Sequence, residues 1–91
     1  MYRIIDSRGS GKTGRLMLLA KETGAIIACS NPSAMRHKAY AYGIAGLQFI
    51  SYKELFTDNY ADEKIMIDEL ESFVKYCVEA EVIGYTLSNE D

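Results

Sequence analysis

The residues with the plainest chemistry are Arg8, Gly9, Ser10, Gly11, Lys12, Thr13 and Gly14. Glycines let successive backbone N–H groups come close to a phosphate. A lysine just after them supplies a point charge to the outer phosphates, and the next hydroxyl can hold Mg²⁺. The run follows the apolar stretch Tyr2-Arg3-Ile4-Ile5 and precedes a helix-like run from Thr13. A helix N-terminus, with its partial positive charge, would then lie where the phosphates sit. Gly11-Lys12-Thr13 fits the end of the pattern G-x-x-x-x-G-K-[ST]. Asp6 stands where that pattern has its first glycine.

A second group complements the first. Ile65-Met66-Ile67-Asp68-Glu69 is an apolar run that ends in two carboxylates. Asp68 would hold the cation through water, opposite Thr13, and Glu69 would polarise a water for attack on a terminal phosphate. Lys12 and Glu69 are thus the catalytic candidates, and Thr13 and Asp68 the metal candidates. A glutamate at this place also suits a helix start, where the dipole favours an acid.

Other residues carry weaker signals. Arg36-His37-Lys38 is the one compact basic cluster. It reads as a solvated helix face, with Arg36 and Lys38 as candidate contacts to nucleic-acid phosphates. His37 has no partner near it in sequence. Tyr40, Tyr42, Tyr52, Tyr60, Tyr76 and Tyr85 are scattered in a way that favours packing over a base-stacking platform. Cys29 and Cys77 lack metal-ligand spacing and lie in apolar segments, so buried free thiols are expected.

The elements that must position these groups alternate along the chain. Strands are expected over 2–6, 25–30, 47–51, 64–68 and 82–87. Helices are expected over 13–23, from Asn31-Pro32 to Gly43, and over 69–79, with a short turn at 52–56 after Ser51. Gly24 is a helix stop, Asn31 an N-cap and Pro32 a first helical residue. Ala25-Ile26-Ile27-Ala28-Cys29 is continuously apolar, as a strand covered on both faces must be. Leu70, Phe73, Val74, Cys77 and Val78 share one helical face. Alternation of this kind predicts an α/β fold, a parallel five-stranded sheet flanked by helices in three layers. Ligands bind at the carboxyl ends of such strands.

Composition bounds the setting. The chain has 91 residues, 48% hydrophobic and 25% charged, which suits one small domain over 1–91. A net charge of −3 provides no global basic field, so any nucleic-acid contact must be a local patch. No apolar run approaches the roughly 20 residues of a membrane span, and no signal-peptide pattern opens the chain. A cytoplasmic setting without membrane contact is expected.

On these residues the chain resembles P-loop NTPases, in particular a minimal first RecA-like lobe of a superfamily-two helicase. Residues 8–14 resemble that family's first motif and Asp68-Glu69 its second. Ser30 to Lys38 is similar to the segment that touches a nucleic-acid backbone. Residues 82–88 are similar to a strand whose terminal hydroxyls sense the γ-phosphate, a role that would fall to Thr86 or Ser88. Small phage-encoded P-loop proteins and the ATPase part of phage packaging enzymes also look similar. The resemblance implies a RecA-like sheet in the order first, fifth, fourth, second, third strand. It implies ATP and Mg²⁺ as ligands and possible hydrolysis in nucleic-acid metabolism. Because one lobe leaves the nucleotide open on one side, self-association or a partner protein is expected to complete the site and supply any arginine finger. The alternative is a non-catalytic interaction module, such as a small phage protein that binds or inhibits a host nucleic-acid machine.

Overall fold

The computed structural model describes residues 1–5, 9 and 11–88. Seven elements follow one another: α1 (Lys12–Thr23), β1 (Ile26–Cys29), α2 (Pro32–Ala41), β2 (Phe49–Ser51), α3 (Tyr52–Thr57), β3 (Ile65–Ile67) and α4 (Leu70–Cys77). The strands form one sheet in the order β2-β1-β3, and both pairings are parallel. Ile27 lies opposite Phe49 on one side and opposite Met66 on the other.

β1 is central because all four of its residues are buried. Its side chains alternate between two cores, as strand geometry requires. Ile27 and Cys29 face α1 and α2, where they meet Met17, Ala20, Met35 and Ala39. Ile26 and Ala28 face the other way, toward Ile50, Tyr52, Ile65, Ile67 and Phe73. The layers are therefore α1 and α2, the sheet, then α3 and α4.

Local signals set the helix boundaries. Gly24, at φ 75° and ψ 18°, ends α1 in the left-handed conformation that glycine adopts without a Cβ clash. The Asn31 side chain accepts from the Ala34 N–H at 3.1 Å, with Pro32 as the first helical residue of α2. Ser51 and Glu54 form a reciprocal capping box, which makes the expected short turn a helix, α3.

The expected five-stranded sheet is not formed. Among the described residues it has three strands, and β3, β1 and β2 are neighbours as the fourth, second and third strands of the expected sheet would be. Residues 2–5 carry no strand, and Tyr2 and Ile5 are 69% and 74% exposed. Residues 81–88 also carry none. They lie against α4, where the Tyr85 hydroxyl donates to Glu71 Oε1 at 3.0 Å. The two segments meet where the Arg3 guanidinium donates to the Ser88 carbonyl. Apolar composition marks a segment that can be a strand, but the backbone ladder makes it one. Here residues 82–87 line a groove with Leu70 and Val74 of α4 and stay largely exposed, Ile83 at 91%. With its outer side left uncovered, α4 is peripheral. None of its residues is buried, and Cys77 is exposed where a buried thiol was expected.

Candidate functional site

The start of α1 is built by glycine. Gly9 and Gly11 have φ of 82° and 83°, a region that residues with a Cβ rarely adopt. Gly11 is the N-cap and makes no side-chain cap. The first helical bond runs from the Arg15 N–H to the Gly11 carbonyl at 3.1 Å. The N–H groups of Lys12, Thr13 and Gly14 therefore have no partner within the helix and point out of its N-terminus. No acidic residue lies in this first turn to cancel its positive end. Thr13 and Gly14 are half-buried there. Asp6, Arg8 and Ser10 lie outside the described residues.

The acid pair sits at the β3–α4 junction. The Asp68 N–H donates to the Ala28 carbonyl at 2.9 Å, carrying the β1–β3 ladder one residue beyond β3. Glu69 has φ 59° and ψ 75°, and among the described residues it alone is a non-glycine with positive φ. Such a conformation costs on the order of 1–3 kcal/mol and persists only where the surroundings impose it. Here they do. The buried Tyr52 hydroxyl lies 2.6 Å from the Asp68 carbonyl oxygen, to which it donates, and 3.3 Å from that of Glu69. Glu69 makes no side-chain cap for α4, so its carboxylate is free to turn elsewhere.

It turns to the glycine loop. Lys12 Nζ and Glu69 Oε1 are 3.2 Å apart, joining the start of α1 to the end of β3. Asp68 belongs to the same cluster. Burial holds its carboxyl above the ordinary carboxylate value, and the negative charge of Glu69 adds to this, while Lys38 and then Lys12 act in the opposite direction. Two carboxylates and two lysines thus converge from α1, α2 and the β3–α4 junction. Burial first, and Asp68 second, also push the neighbouring Cys29 thiol up to about 11, which keeps it protonated and unreactive.

A carboxylate that is partly desolvated beside a second carboxylate gains from a cation. The donors that sequence points to, the Thr13 hydroxyl and the Asp68 carboxylate, are hard oxygens and suit Mg²⁺. No group of three or more His, Cys, Asp or Glu side chains gathers among the described residues. A cation here would draw its other ligands from water and phosphate, as Mg²⁺ commonly does.

The remaining candidates fall elsewhere. Arg36 Nη2 donates to the Phe49 carbonyl at 3.4 Å, tying α2 to β2. Lys38 belongs electrostatically with Asp68, so the basic cluster of the sequence is divided between two tasks. Thr86 lines a groove with Leu70, Glu71 and Val74 of α4, and the strand end expected to carry Thr86 and Ser88 is not formed. Tyr52 is packed as its place among the scattered tyrosines favoured, but sequence reasoning missed its bond to the acid pair, a segment 16 residues away. Tyr42, weighed in sequence only as one of six scattered tyrosines, has a ring that would lie 3.7 Å from a Cβ placed on Gly14. No local pattern marks either one.

The chain is thus a small α/β domain, a three-stranded parallel sheet between two helical layers, with a glycine-built helix start facing an acid pair. Comparison with protein-family models, curated proteins and solved structures finds no match to it.

Proposed function

We propose that the chain binds the phosphates of a nucleoside triphosphate, ATP being the first to test, together with Mg²⁺. The ion pair between Lys12 and Glu69 at 3.2 Å carries this reading. It joins two groups that the sequence separates widely, and each suits one half of a phosphate site. The strained backbone of Glu69, braced by Tyr52, supports the reading further, because strain of this kind clusters at functional sites.

The chemistry follows from the residues. Gly9, Gly11 and the N–H groups of Lys12, Thr13 and Gly14, which have no partner within the helix, would cradle the phosphates. Lys12 would exchange Glu69 for the outer phosphate oxygens, since an incoming polyphosphate carries more negative charge than one carboxylate. Glu69, released, would accept the proton of a water that attacks the terminal phosphorus as its bond to the bridging oxygen breaks. Mg²⁺ on the Thr13 hydroxyl, and on Asp68 through water, would supply charge neutralisation. Binding needs only the first of these events, and hydrolysis needs them all.

A thermal-shift titration with Mg·ATP tests this, because a ligand of the native state must raise its apparent stability. The wild type should respond, Lys12→Ala should not, and Glu69→Gln should bind while releasing no phosphate. No response at millimolar Mg·ATP would remove the reading.

A second reading, the non-catalytic interaction module, rests on a different observation. Phe56 is 61% exposed although it stacks on Phe73 with ring centroids 5.9 Å apart, and the half-exposed Tyr76 lies beside it. Exposed aromatic clusters of this kind mark interaction surfaces. On this reading Mg·ATP produces no shift.

A further inference from the structure

Beside the glycine loop runs an apolar groove lined by Gly11, Gly14, Leu18, Tyr42 and Ile44, with a volume of about 290 Å³. We propose that this groove seats the nucleobase of the bound nucleotide, stacked on Tyr42, and that it accepts either purine. The inference rests on the phosphate-site reading above and adds the identity of the ligand's other end.

Direction comes from the helix itself. At about 100° per residue, Gly14 and Leu18 lie on one stripe of α1 and Lys12 leaves on nearly the opposite side, with the N-cap Gly11 preceding both. Lys12 meets Glu69, so the outer phosphates and the cation belong on that side. The nucleoside must leave the loop on the other, where the groove begins at the same glycines. Two further features suit a flat ring. Gly14 carries no side chain over the groove, where a Cβ would lie 3.7 Å from the Tyr42 ring, and Tyr42 remains 52% exposed. The far wall is fixed in place, since Ile44 N–H donates to the Ala39 carbonyl at 2.9 Å and Lys21 Nζ donates to the Ala45 carbonyl at 2.8 Å. The volume falls just below the roughly 300–1,000 Å³ of whole-ligand sites, which fits a base rather than a whole nucleotide.

The side chains of the groove also limit what it can read. The Tyr42 hydroxyl is their one polar group, so edge hydrogen bonds that separate adenine from guanine have few partners. Stacking, which every base offers, dominates instead.

Calorimetry on the whole chain, with Mg·ATP, Mg·GTP and Mg·tripolyphosphate, tests this. ATP and GTP should bind within about fivefold of each other, and each about tenfold or more tighter than tripolyphosphate, the scale of one stacked base. Tyr42→Ala should remove that advantage and leave tripolyphosphate binding unchanged, and Tyr42→Phe should keep it. Tyr42 is half-exposed and caps α2 through its backbone N–H, so the alanine variant retains the cap. Tripolyphosphate binding as tightly as ATP, with Tyr42→Ala silent, would overturn the base seat and leave the phosphate site standing. A preference above about a hundredfold for one purine would overturn the dual acceptance. Binding of none of the three would overturn both.

Discussion

The two faces of the sheet are unequally built. Toward α1 and α2, Met17, Ile27 and Cys29 are 0%, 0% and 1% exposed, and both helices send residues fully into the core. Toward α3 and α4, the core depends on Ile26, Ala28, Ile50 and Tyr52, with Phe73 half-buried and no residue of α4 buried. The glycine loop is mounted on the tight face. The acid pair hangs at the edge of the loose one, tied by the Asp68 N–H to β1 and braced by the Tyr52 hydroxyl. The Lys12–Glu69 pair spans the two. A site assembled this way has one fixed wall and one adjustable wall, and regions of low local stability are where ligand-responsive parts belong.

The largest effect that can break this comparison is on stability. Ile27→Ala deletes side-chain volume from a fully packed interior and should cost about 3 kcal/mol, within the roughly 2–5 range of such truncations. Val74→Ala, on the half-buried α4, should cost about 1 kcal/mol or less, because much of that side chain already meets water. Urea unfolding monitored by circular dichroism measures both. Equal costs would mean that the faces are equally built and that the adjustable wall is a fiction.

Tyr52→Phe comes next. It keeps the ring contacts, including the edge-to-face packing on Phe73 at 5.3 Å, and removes the hydroxyl that holds the Asp68 and Glu69 carbonyls. The expected loss is about 1–1.5 kcal/mol, the worth of one hydrogen bond with part of a buried acceptor exposed. Amide exchange should quicken at Asp68 and Phe73, whose N–H groups bond on either side of this junction. A uniform change across the chain would show that Tyr52 supports the core and does not brace the acid pair.

Lys12→Met should change stability little. The side chains of the pair are 31% and 48% exposed, and ion pairs in that setting are worth about 0–1 kcal/mol. Its effect on phosphate binding should be total by comparison, since the same cation is what the polyphosphate would meet. A loss of stability as large as that of Ile27→Ala would place Lys12 in the architecture and weaken the functional reading.

How far the sequence carried is clearest from particular residues. β1 was legible because a strand buried on both faces must be continuously apolar, and 25–29 is. The ends of α1 and α2 were legible from Gly24 and from Asn31-Pro32, whose conformational reasons are local. A glycine loop before α1 was legible too, but the left-handed conformations of Gly9 and Gly11 come from the structure. Residues 2–5 and 82–87 misled because β-branched and aromatic content says nothing about whether a neighbour is present to complete a ladder. Tyr52, Tyr42 and Lys38 were weighed as candidates, but their places beside the acid pair and the glycine loop were not legible, because crossover geometry brings together segments that carry no mutual sequence signal.

The smallest effect separates a site from a scaffold by its sign. Burial and Glu69 hold the Asp68 carboxyl above its ordinary value of 3.8, so the folded chain binds that proton more tightly than the unfolded chain does. Between the ordinary value and the raised one, the native state carries the extra proton, and its stability must fall as the pH rises through that window. Above the window the full penalty of an ionised Asp68 remains. Asp68→Asn has no proton to lose there. Its melting temperature should therefore exceed that of the wild type at neutral pH, and the gap should narrow as the pH falls through the carboxylate range. Mg²⁺ should act in the same direction on the wild type by neutralising the ionised pair, and should leave Asp68→Asn unmoved. A residue retained for architecture would give the opposite result, with stability lost on substitution and no response to the cation. The penalty at Asp68 is then the mark of a group kept for what it binds.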